Sequence, residues 1–128
     1  MRKLLLLGHA IVALVLSGAA AAAGPWEDGM VAYNRGDYLP AIKLFRPLAE
    51  AGNAKAHSIL GVMYRKGAGV TPSSVRNFMW LSIAAARGDT TAKDKLREMS
   101  KEMTPEEVAH AREMMAACEA SDYRNCEY

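Results

Sequence analysis

The sequence predicts an all-α protein, a short α-solenoid of about two to three helical hairpins that is closed by a C-terminal capping helix. Two observations predict this class. The chain repeats itself, since PLAEAGNAKA (residues 47–56) and IAAARGDTTA (residues 83–92) superimpose at a shift of 36 residues. Apolar residues also recur at helical spacing, in segments bounded by glycines and helix-capping residues. Stacked repeats would bury together the apolar faces that one repeat cannot bury alone.

The N-terminal segment, residues 1–23, has the order of a secretory signal peptide. Arg2 and Lys3 precede an apolar run (residues 4–16), and small residues follow up to Ala23. This order predicts export, with cleavage after Ala23 at an A-x-A site. A retained membrane anchor is the alternative, because roughly 20 apolar residues can span a bilayer.

Cleavage defines the size and charge of the mature chain. It leaves 105 of the 128 residues, which is enough for one small domain over residues 24–120 and a short tail over 121–128. The basic count falls from 16 to 14 and equals the 14 acidic residues, so the net charge is zero. A neutral chain does not favour nucleic-acid binding. We expect a periplasmic or secreted protein of a Gram-negative bacterium, with no stable membrane insertion after cleavage.

The first hairpin is predicted over residues 26–51. Its first helix runs from Trp26 to Arg35, and a tight GDY turn (residues 36–38) follows it. The second helix runs from Pro40 to Ala51, where Pro47 removes one backbone hydrogen bond and predicts a kink. Its inward face is expected to consist of Ala41, Ile42, Phe45, Leu48 and Ala49.

The second hairpin is predicted over residues 53–88. Asn53 caps a helix from about Ala54 to Lys66, and Gly67 ends it. One of the two serines at 73 and 74 caps the next helix, which stops at Gly88. The apolar faces are expected to contain Ile59, Leu60, Met63 and Tyr64 in the first helix, and Val75, Phe78, Met79, Trp80, Ser82 and Ala84 in the second.

The third hairpin is predicted over residues 89–120. Asp89 caps its first helix, whose apolar residues follow at steps of four, three and four. Thr104 caps the closing helix, with Pro105 at its first position and Glu107 completing a capping box. The inward residues are expected to be Ala92, Leu96, Met99 and Met103, then Val108, Ala111, Met115 and Cys118.

Two cysteines, Cys118 and Cys126, stand near the C-terminus with seven residues between them. In an oxidising compartment such a pair predicts a disulfide. The alternative is a metal or redox site with His110, although the spacing is not that of closely paired zinc ligands. Four methionines, which could bind Cu(I) together with Cys or His, are expected instead to fill the core between the last two helices: Met99, Met103, Met114 and Met115.

A resemblance to a known family rests on the second hairpin. LGVMYRKGAGV (residues 60–70), Trp80, the small pair Ala84 and Ala85, and RGDTTA (residues 87–92) resemble the Sel-1-like repeat, a relative of the tetratricopeptide repeat (TPR). Asn77 departs from the pattern, which prefers alanine there, as do the serines at 73 and 74. The resemblance implies a right-handed solenoid whose repeat-packing residues are Tyr33, Gly36, Gly61, Tyr64, Gly67, Trp80, Ala84, Ala85 and Gly88.

The same resemblance implies an interaction scaffold rather than an enzyme. The chain is then an adaptor, or a regulator or inhibitor of an envelope protein, and a protein or peptide partner lies against the concave side formed by the first helix of each hairpin. We expect no cofactor. The competing hypothesis is periplasmic copper or redox handling by the methionines, the two cysteines and His110.

Motifs for nucleotide chemistry are incomplete. Gly67 and Gly69 are followed by Pro72 where a dinucleotide fingerprint needs its third glycine, and Lys66 precedes Gly67 rather than following a glycine as in a Walker loop. His57 is expected to be a partly exposed helix residue without a catalytic role. We therefore expect no catalytic residue.

Overall fold

The structure is a computed structural model that describes residues 23–126. Within this range the secondary structure is entirely helical, which confirms the all-α prediction. No helix in the described range is long and apolar enough to cross a membrane. The predicted signal peptide, except Ala23, lies outside the described residues. The six helices of the described range are α1 (Pro25–Arg35), α2 (Tyr38–Glu50), α3 (Ala54–Lys66), α4 (Ser74–Ala86), α5 (Thr90–Glu102) and α6 (Pro105–Ala120).

Helices α3 to α6 begin where capping side chains predict. Each cap accepts a hydrogen bond from the backbone N–H three residues later, which satisfies one of the free donors of the first turn. Thr104 and Glu107 form the predicted capping box, with distances of 3.2 Å and 2.9 Å for its two hydrogen bonds. The four caps are Asn53, Ser73, Asp89 and Thr104.

Helix α2 begins at Tyr38, two residues before the predicted start at Pro40. Pro40 is then the third residue of the helix, where its missing N–H would have had no intrahelical partner. The helix continues through Pro47 to Glu50, so that proline does not break it. Gly36 lies in the left-handed region at φ 83° and ends α1.

Helix α4 is the centre of the molecule. Neighbouring helices pack in the pairs α1 with α2, α2 with α3 and α3 with α4, whereas α5 and α6 both pack against α4 and have at most sparse contact with each other. The sequence predicts pairing of α5 with α6 over residues 89–120. In the structure α4 is the main packing partner of both helices.

The burial of α4 exceeds the single apolar stripe that the sequence predicts. From Asn77 to Ala85 every residue except Ser82 is buried, and Trp80 has no exposed surface. Apart from Asn77 and Ser82 the segment is apolar, a composition that favours a helix covered on every side. Three helices therefore pack around it.

The methionines are divided between two apolar clusters, which corrects the prediction that they fill one core between the last two helices. Met114 and Met115 pack against the larger cluster, which includes Phe45, Leu60 and Trp80. Met99 packs with Leu96 against the smaller cluster, which consists of Leu81, Ala84, Ala85 and Ala92. The division follows from α5 and α6 lying separately against α4.

Candidate functional site

A groove of about 380 Å³ lies between α3 and α5, with α4 beneath it. The α4 residues in its lining, Asn77 and Leu81, are 3% and 2% exposed and form the floor. The charged lining residues are exposed and form two rims. Helix α3 contributes Val62 and Arg65, and α5 contributes Asp94, Lys95, Glu98, Met99 and Glu102.

The floor depends on a close approach of α3 to α4 at Gly61. A Cβ atom at Gly61 would lie 3.3 Å from both the Asn77 Oδ1 and the Leu81 Cγ, which is tighter than ordinary packing. Glycine therefore allows the two helices to close the floor. Gly61 is one of the repeat-packing positions that the resemblance implies.

Asn77 places an amide in this otherwise apolar floor. Its Nδ2 donates to the Met99 Sδ at 3.3 Å, and a thioether can only accept, which fixes the orientation of the amide. The Oδ1 then lies beside Gly61.

The distance between α3 and α5 is held by a side-chain hydrogen bond. Ser58 on α3 donates from its Oγ to the Asp89 Oδ2 at 2.5 Å, and the Asp89 Oδ1 caps α5 through the Ala92 N–H at 2.9 Å. The Ser58 hydroxyl is the main reason that the pKa of Asp89 is lowered from its ordinary value. The Asp89 carboxylate thus both caps α5 and hydrogen-bonds to α3.

The α5 rim carries three carboxylates at intervals of four residues, so they lie on one helix face. Asp94 pairs with Arg97 at 2.6 Å and Glu98 pairs with Lys101 at 3.0 Å. All four side chains of these pairs are at least 64% exposed, so the pairs are weak and can exchange. The third carboxylate, Glu102, lies one turn further along the rim.

His57 is fully buried, so its predicted partial exposure is wrong. Its Nε2 hydrogen-bonds the Ala49 carbonyl at 2.8 Å, and its ring lies 5.6 Å from that of Trp80 and 5.3 Å from that of Tyr123. Burial lowers its pKa, and the nearby Arg87 charge adds to this, whereas the Ala49 hydrogen bond opposes it. The sequence carries a signal for this burial, because His57 stands three residues before Leu60 and seven before Tyr64, which places it on the same apolar face of the helix.

The C-terminal segment closes over His57. Cys118 and Cys126 form the predicted disulfide, with their Cα atoms 4.3 Å apart and both residues buried. Tyr123 lies inside this loop, and its hydroxyl accepts from the Arg87 Nε at 3.1 Å. Arg87 also donates from Nη1 to the Gly52 carbonyl at 2.9 Å. The disulfide loop is thereby joined to the α2–α3 turn.

The remaining predicted repeat residues occupy three kinds of position: partly buried, fully buried, and helix ends. Tyr33 lies 5.6 Å from Tyr38 between ring centroids, and its hydroxyl accepts from the Lys66 Nζ at 3.4 Å. Tyr64 is buried, which raises the pKa of its hydroxyl. Trp80, Ala84 and Ala85 lie buried on α4, and Gly36, Gly67 and Gly88 have positive φ at helix ends.

The predicted copper ligands are not gathered into one cluster. Cys118 and Cys126 are joined to each other, His110 is exposed on α6, and the methionines are divided as described above. Over residues 23–126 no group of three or more His, Cys, Asp or Glu side chains is placed to hold a metal ion.

The fold and the site define a small all-helical protein with a surface groove and a disulfide-held C-terminal turn. No protein-family model matches this chain, and no curated protein matches it either. The resemblance to the Sel-1-like repeat therefore stays a prediction that rests on the residues themselves.

Proposed function

We propose that this protein is a non-catalytic, extracytoplasmic protein-binding module that recruits or regulates an envelope protein. The observation that carries the proposal is the groove, which combines an apolar floor with charged rims on rigid helices. Such a preformed surface suits binding, because an apolar anchor in a pocket supplies most of the affinity of an interface and the polar rim excludes water.

Export is the second part of the proposal. The charged, apolar and small-residue order of residues 1–23 is that of a signal peptide, and a buried disulfide is typical of an oxidising compartment. The zero net charge of the mature chain favours a protein or peptide partner over a nucleic acid. The exported protein should begin at Gly24, which its intact mass would reveal.

The third part is a short right-handed solenoid of Sel-1-like type. In that arrangement α1, α3 and α5 are the first helices of successive repeats, and they form the concave side. The groove lies between two of these helices, where a partner of such a scaffold would bind. The repeat assignment and the position of the groove thus support the same binding mode.

Photo-crosslinking in the periplasm tests the binding function. A photo-reactive amino acid at Arg65, on the α3 rim, should capture one partner, and the same amino acid at Arg112, an exposed residue of α6, should not. Val62→Glu should abolish the capture without unfolding the protein, because Val62 lines the groove and is only partly buried. Equal capture from both positions would contradict the proposal, and copper retained through purification would favour metal handling instead.

A further inference from the structure

We propose that a second cavity, on the α2 side of α3, binds the phosphate group of a ligand through the side chains of Arg46, Tyr64, Thr71 and Arg76. This cavity has a volume of about 260 Å³, and Val70 completes its lining. It shares no lining residue with the groove between α3 and α5, so the inference is independent of the proposed function. Three features carry it: how the backbone forms the cavity, the charge of the lining, and the number of donors.

Gly69 brings the loop between α3 and α4 against α2. Its φ is 74°, and a Cβ atom at this position would lie 3.1 Å from the Ile42 Cδ1, which is tighter than ordinary packing. Arg46 follows Ile42 by four residues and therefore lies on the same face of α2. The close approach thus places Val70 and Thr71, the next residues of the loop, beside Arg46 in the cavity wall.

The end of α3 and the first turn of α4 form another wall. The Ser73 N–H donates to the Tyr64 carbonyl at 3.0 Å, and the Ser73 side chain caps α4. Arg76 therefore stands in the first turn of α4, with its Cζ 5.9 Å from the centre of the Tyr64 ring. The positive end of the α4 dipole adds to the guanidinium charge at this point.

The lining of the cavity is positively charged. Its described residues include two guanidinium groups and no carboxylate. Lys43 and Glu50, one turn to either side of Arg46 on α2, carry opposite charges and lie outside the lining, so they leave the local charge unchanged. Both arginines of the lining also have other interactions within the protein. A guanidinium presents five N–H donors and binds an anion beside other partners.

Burial strengthens the interaction with an anion. Both arginines are half-buried and Tyr64 is 4% exposed. An anion between them is partly removed from water, where charge-assisted hydrogen bonds are stronger. Burial also raises the pKa of Tyr64, against the opposing charges of Arg76 and Arg46, so its hydroxyl keeps the proton that it donates to the anion.

The number of donors favours a phosphate group over a carboxylate. Two guanidinium groups and two hydroxyl groups surround the cavity, from three helices and one loop. A carboxylate has two oxygens in one plane, and a single guanidinium satisfies both of them. A phosphate group has three strong acceptor oxygens and a charge of about −1.5 to −2 at neutral pH, which matches the two arginines.

Titration with inorganic phosphate tests the inference. The mature, disulfide-bonded protein is labelled with ¹⁵N, and nuclear magnetic resonance follows the Nε–H signals of Arg46 and Arg76 and the backbone signal of Thr71. We expect phosphate to shift these signals, and acetate at the same ionic strength to bind about tenfold or more weakly. Vesicles of phosphatidylcholine with and without phosphatidic acid, in a sedimentation assay, provide the same group on a lipid.

Variants assign the effect to the cavity. Arg46→Gln and Arg76→Gln should each weaken phosphate about tenfold, because each loses a charged donor. Thr71→Val should weaken it about three- to fivefold, and because Thr71 is exposed this change does not threaten the fold. Arg112→Gln is the matched control: Arg112 is exposed on α6, outside the cavity, and its replacement should leave the affinity unchanged.

Three results would overturn the inference: binding in neither assay, equal affinity for acetate and phosphate, or an equal loss of affinity in Arg112→Gln and Arg76→Gln. Binding of the phosphatidic acid vesicles alone, lost in Arg76→Gln, would identify a lipid headgroup as the source of the phosphate group. Binding of free phosphate alone would identify a soluble source. Capture of a partner at Arg65 in the groove is measured separately, so failure of this inference leaves the proposed function standing.

Discussion

Acid should destabilise this protein through His57. In the folded state the ring is fully buried and neutral, with its Nε2–H donated to the Ala49 carbonyl. Burial lowers its pKa below the value of 6.5 that the unfolded chain has. Between these two pKa values the unfolded state binds a proton that the folded state does not, so the free energy of unfolding falls as the pH falls.

The magnitude of this effect follows from linkage. The contribution of neutral His57 is fully present above pH 6.5 and is lost as the pH falls from 6.5 toward the folded pKa. The steepest possible loss is about 1.4 kcal/mol per pH unit. No side chain facing the ring relieves the cost, because Trp80 and Tyr123 carry no negative charge and Arg87 is positive, so only the hydrogen bond to the Ala49 carbonyl offsets part of it.

Denaturant unfolding followed by circular dichroism, repeated from about pH 8 to about pH 5, measures the slope. The wild type should lose stability below pH 6.5. His57→Phe should be less stable than the wild type at neutral pH, because the Ala49 carbonyl loses its donor. The stability of this variant should stay constant across the pH range. His110→Gln is the matched control, since His110 is exposed, and it should follow the wild type. A wild-type stability that stays constant below pH 6.5, or a slope that survives in His57→Phe, would refute the reasoning.

Three further predictions concern stability, and denaturant midpoints check each of them. Gly61→Leu should cost about 1–3 kcal/mol by overpacking the α3–α4 contact. Gly61→Ala should be nearly neutral, because the better helix propensity of alanine offsets the tight contact of its Cβ atom. Equal effects of the two variants would contradict the close approach of the helices. Replacing Cys118 and Cys126 with serine should cost about 2–3 kcal/mol, and a reducing agent should reproduce the loss in the wild type only. Thr104→Ala should cost about 1 kcal/mol through the loss of a helix cap. Asp89→Ala should cost more, because Asp89 caps α5 and also accepts a hydrogen bond from Ser58. The reverse order would show that the hydrogen bond to α3 contributes nothing.

The helix ends could be predicted from sequence because they depend on local chemistry. A capping side chain and the N–H it accepts from are three residues apart, so Asn53, Asp89 and Thr104 carry their signal within a few letters. Gly67 likewise marks the end of α3 through its own positive φ of 70°. The largest difference is the start of α2, at Tyr38 instead of Pro40, since proline is tolerated anywhere in a first turn.

The packing partners could not be predicted in the same way, because they depend on where distant segments return. Periodicity places His57 on the apolar face of α3, but only the disulfide loop brings Tyr123 over its ring. Likewise, the composition of α4 indicates burial without saying that α6 covers it. The groove depends in the same way on how helices pack, since its floor and rims come from the three consecutive helices α3, α4 and α5.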